Sequence, residues 1–178
     1  NVDGSGESWD YAGSWVYKDN DMWMYGGVDC AANSSFMADA SCPYPMCQFG
    51  HSGEVPMSLE LKGIIDFTVP SGGADGKAIH LFAKENIDDL SRYAIGVANN
   101  GGGTDSIEYR FPVMAVGAGE DILLVRSDSA MSAYFGDCIG QFEHIITSND
   151  QISQNGDDAI ELFGDTTVIE TFGDINVD

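Results

Sequence analysis

The fold is decided by the stretch Ala159-Ile160-Glu161-Leu162-Phe163-Gly164-Asp165-Thr166-Thr167-Val168-Ile169-Glu170-Thr171-Phe172. Two segments rich in β-branched and aromatic residues flank Gly164-Asp165, a pair that is typical of tight turns. The pattern predicts a β-hairpin.

Upstream of the hairpin the chain repeats this kind of segment. Apolar or alternating runs of strand length occur at residues 59–67, 78–83, 88–97, 109–112 and 121–125. Gly-rich turns such as Asn99-Asn100-Gly101-Gly102-Gly103 separate them, and Met131 to Phe135 has the composition of a short helix. Many short strands with such turns predict an all-β sandwich.

Downstream of the hairpin lies a motif that the terminus interrupts. Asp174-Ile175-Asn176-Val177-Asp178 reads D-x-N-x-D, the opening of a calcium-binding loop. The triplet Asn-Val-Asp recurs at Asn1-Val2-Asp3, where Gly4-Ser5-Gly6-Glu7-Ser8-Trp9-Asp10 follows. Overlaying the two triplets gives one continuous loop, D-I-N-V-D-G-S-G-E-S-W-D.

The overlaid loop has the residue types that calcium requires. Calcium takes six to eight oxygen ligands, and alternate positions of a tight loop can supply them. Ser5 would contribute its backbone carbonyl, and Gly4 permits the sharp turn. The alternative is an ordinary turn, because Asp, Asn and Gly favour turns in any case. The predicted Ca²⁺ ligands are Asp174, Asn176, Asp178, Asn1, Asp3, Ser5, Glu7 and Asp10.

The repeated triplet also suggests how the chain is organised. It predicts either one window of a tandem array or a circularly permuted fold, with residues 1–56 as the C-terminal part of the fold and 57–178 as its main body. Together the two parts form one domain. The expected partners are neighbouring copies of the same chain.

Charge excludes several classes of function. The chain has 29 acidic and 7 basic residues, a net charge of −22. Such a surface repels nucleic acid and anionic membranes. Apolar runs give a separate indication: no stretch approaches the roughly 20 apolar residues of a membrane helix. We also expect no enzyme, because the three histidines have no metal-ligand spacing and no nucleophile motif is present.

Cysteine spacing predicts disulfides and an extracellular or cell-surface location. Cys30, Cys42, Cys47 and Cys138 lack zinc-ligand spacing, so disulfides in an oxidising compartment are favoured. Three pairings are possible, and we favour Cys30–Cys42 with Cys47–Cys138. The Pro-rich segment 26–56 is then an irregular, disulfide-pinned excursion.

The N-terminal region contains all three tryptophans. Trp9, Trp15 and Trp23 belong to a set of aromatic residues at odd positions, and the period of two predicts a strand over 14–18 with an aromatic face. Such a strip can bind carbohydrate, but aromatic residues in a small β domain more often form the core.

Several segments between residues 58 and 178 resemble the lamin-tail domain family. The segments are 76–82 (GKAIHLF), 87–95 (IDDLSRYAI), 117–124 (GAGEDILL) and 155–162 (NGDDAIEL). The resemblance implies an immunoglobulin-like β-sandwich of the kind found as a repeat in large secreted bacterial proteins. His80 stands where that family usually has Glu.

The combined expectation is an extracellular structural or adhesive repeat, stabilised by calcium, in a fibre or giant surface protein. The alternative is a carbohydrate-binding or accessory module of a secreted enzyme. A further possibility is that the N-terminal strand of one chain completes the sandwich of another, as in donor-strand exchange.

Overall fold

A computed structural model describes residues 10–32, 34–37, 40–45, 58–68, 73–104 and 106–177. Within them, ten strands form two sheets and one α-helix connects two strands. The strands are β1 Trp15–Asp19, β2 Met22–Tyr25, β3 Leu59–Phe67, β4 Gly76–Ala83, β5 Tyr93–Ala98, β6 Tyr109–Arg110, β7 Asp121–Val125, β8 His144–Thr147, β9 Ala159–Gly164 and β10 Thr167–Phe172; the helix is α1 Asp128–Phe135.

The larger sheet has the strand order β2-β1-β3-β4-β7-β8, and the smaller has the order β10-β9-β5-β6. Neighbouring strands are antiparallel, except that β8 runs parallel to β7. A parallel neighbour needs a crossover connection, and α1 lies in that connection. The predicted hairpin is formed by β9 and β10, and Asp165 at its turn has a φ of 57°.

The two sheets enclose a common core. Strand residues alternate between the faces of a sheet, and the inward-facing ones are almost all aliphatic or aromatic. Their members include Val16, Leu59, Leu61, Ile64, Ile79, Leu81, Ile95, Val97, Ile122, Leu124, Ile160 and Leu162. The coarse prediction of an all-β sandwich is therefore confirmed.

A bulge in β3 changes which residues face this core. The register with β4 shifts between Leu61 and Gly63, so that Lys62 is the additional residue. Before the bulge Leu59 and Leu61 face the smaller sheet, whereas after it Ile65 and Phe67 face the opposite side. After the bulge the strand has apolar residues on both faces, Ile64 and Ile65, because both faces are covered there.

A third layer covers the outer face of the larger sheet. A second apolar cluster forms between that face, helix α1 and residues of the cysteine-containing segment; it includes Trp15, Tyr44, Ile65, Phe67, Leu123, Val125, Met131, Tyr134 and Phe135. We call the helix together with this segment the outer layer. Ser127 caps α1 by accepting a hydrogen bond from the Ala130 N–H at 3.3 Å.

The cysteine-containing segment is irregular, as expected. Its described parts form turns and bends, and a disulfide joins Cys30 to Cys42 with their Cα atoms 5.7 Å apart. Cys138 is also disulfide-bonded, and Cys47 lies outside the described residues.

Two strands were not predicted from the sequence. A tight turn at Asn20 and Asp21, both with positive φ, ends the aromatic run of β1 and starts β2. Strand β8 is a four-residue edge strand with alternating half-buried and exposed side chains. In the part of the chain described above, no helix is long and apolar enough to cross a membrane.

Candidate functional site

Residues 174–177, which begin the predicted calcium loop, form a turn. The Asp174 carboxylate accepts hydrogen bonds from the backbone N–H of Asn176 at 2.9 Å and from its side-chain amide at 3.3 Å. The Val177 N–H donates to the Asp174 carbonyl at 3.1 Å. Both side chains are exposed, so this half has the local geometry of an Asx turn with oxygens accessible to solvent.

In the N-terminal half of the loop, the structure describes only the last predicted ligand, Asp10. Asp10 is buried, and its Oδ1 accepts a hydrogen bond from the Ala12 N–H at 3.1 Å. The remaining predicted ligands, Asp178, Asn1, Asp3, Ser5 and Glu7, lie outside the described residues. Among the residues that are described, no group of three or more His, Cys, Asp or Glu side chains could hold a metal.

Asp10 and Asp174, which belong to the two halves of the loop, adjoin one pair of aromatic rings. Tyr11 packs edge to face against Phe172 with centroids 5.6 Å apart. Its N–H donates to the Gly156 carbonyl at 3.0 Å, and its hydroxyl donates to the Asp158 carbonyl at 3.0 Å. Burial, followed by nearby acidic groups of which Asp66 is the strongest, raises the pKa of Tyr11 well above its usual value. The residues next to Asp10 and Asp174 are thus fixed to one edge of the sandwich.

A hydrogen bond ties the loop 99–104 to the C-terminal turn. The Gly103 N–H donates to the Ile175 carbonyl at 2.7 Å. The backbone of Asn100 lies near the Asp158 carboxylate and opposes the rise of its pKa that burial causes. The Gly-rich loop therefore contacts both the turn that begins the calcium motif and the segment that receives Tyr11.

The two described tryptophans do not share a surface. Trp15 is buried under the outer layer, where its Nε1 donates to the Cys42 carbonyl at 2.8 Å. Trp23 lies on the opposite face of the same sheet, against Phe172 with ring centroids 4.7 Å apart. A single platform through both residues is therefore not formed, because the chain reverses between them; Trp9 lies outside the described residues.

Beneath the outer layer is a buried polar chain that sequence reasoning missed. The Tyr44 hydroxyl lies 2.8 Å from Nδ1 of His80, and Nε2 of His80 lies 2.7 Å from Oδ1 of Asp121. Burial raises the pKa of Tyr44 well above its usual value, so the phenol keeps its proton. If the phenol donates to Nδ1 of His80, the N–H at Nε2 donates to Asp121.

All three residues of this chain are covered. His80 is fully buried, and Tyr44 and Asp121 are nearly so. Burial and the Asp121 charge also raise the pKa of neighbouring Tyr17 to about 12. The arrangement therefore joins the outer layer to the sheet. The sequence signal that could have found it is the histidine His80, which stands among apolar residues in β4.

The basic side chains are fully engaged. Each of the seven contacts an acidic group, a carbonyl oxygen or an aromatic ring; they are Lys18, Lys62, Lys77, Lys84, Arg92, Arg110 and Arg126. The excess of acidic groups is therefore left for solvent ions to balance. Comparison with protein-family models, curated proteins and solved structures finds no match to this chain.

Proposed function

We propose that this chain is an extracellular structural or adhesive module, repeated along a fibre or giant surface protein and stabilised by calcium. In this proposal the overlaid loop connects β10 directly to β1. Calcium bound there would hold the last hairpin of the sandwich against the strand that completes the larger sheet.

The observation that carries the proposal is the contact between Tyr11 and Phe172. This contact holds the residues beside Asp10 and Asp174 at the same edge of the sandwich. A continuous loop between β10 and β1 would require these two positions to be close together. Strand β1 pairs with β3 of the same chain. This pairing favours a loop within one folded unit over exchange of the strand between separate chains.

Two further observations support an extracellular role. The disulfide between Cys30 and Cys42 fixes part of the outer layer, and such bonds persist in oxidising compartments. The net charge of −22, with every basic side chain already engaged, suits a protein that binds divalent cations.

We further propose that the sandwich is immunoglobulin-like and of the lamin-tail kind. The segments that resemble this family fall in β4, β5, β7 and β9 and in the turns that precede them.

The carbohydrate-binding alternative has less support. Trp15 and Trp23 lie on opposite faces of one sheet, so they cannot stack together on one sugar chain.

The proposal is tested with two proteins, the single chain and a two-copy protein in which Asp178 of the first copy is followed directly by Gly4 of the second. We expect calcium to raise the melting temperature of the two-copy protein more than that of the single chain, because only the former contains an uninterrupted loop. Asp174→Asn keeps an acceptor for the Asn176 N–H but removes the charge, and it should abolish the additional gain.

The matched control is Asp137→Asn, which removes one exposed negative charge far along the chain from the loop. It should leave the calcium response intact. An equal response of the single chain, the two-copy protein and the Asp174→Asn variant would refute a calcium-stabilised loop.

A further inference from the structure

Two glutamates flank a glycine on the outer face of the smaller sheet. Glu161 of β9 is paired with Gly96 of β5. Ile95 is paired with Tyr109, so the antiparallel register places Glu108 on the other side of Gly96. Ile95, Tyr109, Ile160 and Leu162 face the core, and the alternation of strand side chains therefore points Glu108 and Glu161 to the same outer face.

One carbonyl oxygen and one aromatic ring lie directly above Gly96. A Cβ on Gly96 would stand 3.0 Å from the Ser106 carbonyl oxygen and 2.8 Å from the Phe163 ring. The Thr104 hydroxyl donates to Oε1 of Glu161 at 3.0 Å. Thr104 thus places a hydroxyl next to Glu161, and Ser106 places a carbonyl oxygen over the glycine.

Glu161 is a buried carboxylate with one unused oxygen. The residue is 1% exposed, and its Oε2 is buried without a hydrogen-bond partner. Burying a charge without a partner is strongly unfavourable. Lysine and arginine do not provide the missing partner, because all seven of these side chains contact other groups.

We propose that Glu161, Glu108, Thr104 and Ser106 form a second calcium site, over Gly96. The two carboxylates, the hydroxyl and the backbone carbonyl are hard oxygen donors, which is the ligand chemistry that calcium prefers. The cation is the positively charged partner that Oε2 of Glu161 lacks. A side chain at position 96 would displace the Phe163 ring or the Ser106 carbonyl, which is one of the ligands.

This site is separate from the terminal loop but mechanically connected to it. Its ligand Thr104 follows Gly103, whose N–H donates to the Ile175 carbonyl in the C-terminal turn. Calcium over Gly96 would therefore fix the loop against which that turn is held. The inference does not depend on the proposed function, since it concerns different ligands.

The test is calcium binding by the single chain, measured by equilibrium dialysis, together with its melting temperature in calcium and in a chelator. We expect the wild type and Asp174→Asn each to bind one calcium ion at this site. Glu161→Gln should not bind this ion. In the chelator, Glu161→Gln should melt at the same temperature as the wild type or higher, because the amide removes a buried unpaired charge. In calcium the order should reverse.

The matched control is Glu60→Gln, which changes another buried carboxylate whose oxygen already lies 2.6 Å from Lys84 Nζ. It should lower the melting temperature equally in calcium and in the chelator. Thr104→Val provides a second variant that keeps the carboxylates, and it should weaken calcium binding.

Two results would overturn the proposal. One is Glu161→Gln binding as much calcium as the wild type. The other is a change of melting temperature on Glu161→Gln that is the same in calcium and in the chelator, which is the behaviour of a purely structural glutamate. Loss of binding in Asp174→Asn alone would assign the bound calcium to the terminal loop and also count against a site over Gly96.

Discussion

The hydroxyl of Tyr44 occupies the space where a side chain on Gly63 would begin. Gly63 belongs to β3, directly after the bulge, and Tyr44 belongs to the outer layer. From this position the phenol reaches Nδ1 of His80 at 2.8 Å. The absence of a side chain at Gly63 therefore allows the outer layer to form its buried polar contact with the sheet.

Gly63→Ala should displace Tyr44 and break its contact with His80. Overpacking of this kind destabilises by about 1–3 kcal/mol, and the lost hydrogen bond adds about 1 kcal/mol. Urea denaturation measures the change in the free energy of unfolding. Gly140→Ala is the control, because a Cβ there meets nothing within 4 Å, and it should change stability by less than about 0.5 kcal/mol. Equal effects of the two substitutions would contradict this role of Gly63.

Opening the Cys30–Cys42 disulfide should loosen the outer layer. Cys30→Ser with Cys42→Ser removes a cross-link between residues 12 positions apart, which corresponds to about 3 kcal/mol for a loop of this size. Trp15 reports the change directly, because its Nε1 donates to the Cys42 carbonyl. We expect its fluorescence to shift to longer wavelength.

Trp15→Phe identifies the source of that fluorescence change. In a protein that has both cysteine substitutions and Trp15→Phe, the shift should be absent, since Trp23 lies on the other face of the sheet. A shift that persists would show that removing the disulfide alters more than the outer layer.

Glu170 connects the two sheets. Its Oε2 accepts a hydrogen bond from the Leu61 N–H at 2.8 Å, and its Oε1 pairs with Lys18 of β1. Glu170→Ala leaves a partly buried backbone donor and a lysine without their acceptor, so we expect a loss of about 2–4 kcal/mol in unfolding free energy. Glu170→Gln keeps an acceptor and should lose less. A larger loss for Gln than for Ala in urea denaturation would refute this reasoning.

The carboxyl of Asp158 should make stability depend on pH. Burial is the largest influence and raises its pKa above the usual value, although a hydrogen bond from the Asn155 N–H and the nearby backbone of Asn100 oppose the shift. The folded protein therefore holds this proton more tightly than the unfolded chain. The resulting stabilisation is complete below the usual pKa and is lost as the pH rises through the raised value.

Asp158→Asn removes this titration. The melting temperature of the variant relative to the wild type should therefore increase between pH 4 and pH 7. Asp137→Asn gives the baseline for losing one exposed negative charge. A difference between Asp158→Asn and the wild type that stays constant with pH would exclude a raised pKa at this position.

Local sequence pattern predicted much of the sandwich. Alternation and apolar runs located β3, β4, β7 and the hairpin of β9 and β10, because in these segments burial on at least one face fixes the residue types. The helix was predicted from Met131, whereas it begins at Asp128; its cap, Ser127, is a polar residue that apolar periodicity does not detect.

Other features depend on contacts between distant segments. A period of two shows that Trp15 and Tyr17 share a face but cannot tell which layer covers it. The contact of Tyr44 with His80 joins a Pro-rich segment to a central strand, and the row of Glu161, Gly96 and Glu108 exists only through the pairing of β9, β5 and β6. No local pattern reports such pairings.

The packing of Tyr11 against Phe172 also has a consequence for folding kinetics. These rings lie 161 positions apart in the chain, so the segment of Tyr11 is synthesised well before β10 and cannot complete its packing until that strand is present. Closing such non-local contacts is slow. If identical copies are joined in tandem, β1 of each copy can pair with β3 of its own copy or with β3 of another copy. In the proposed array the calcium loop favours pairing with the copy directly before it, and pairing with any other copy is the misfolding route to which such an array is most exposed.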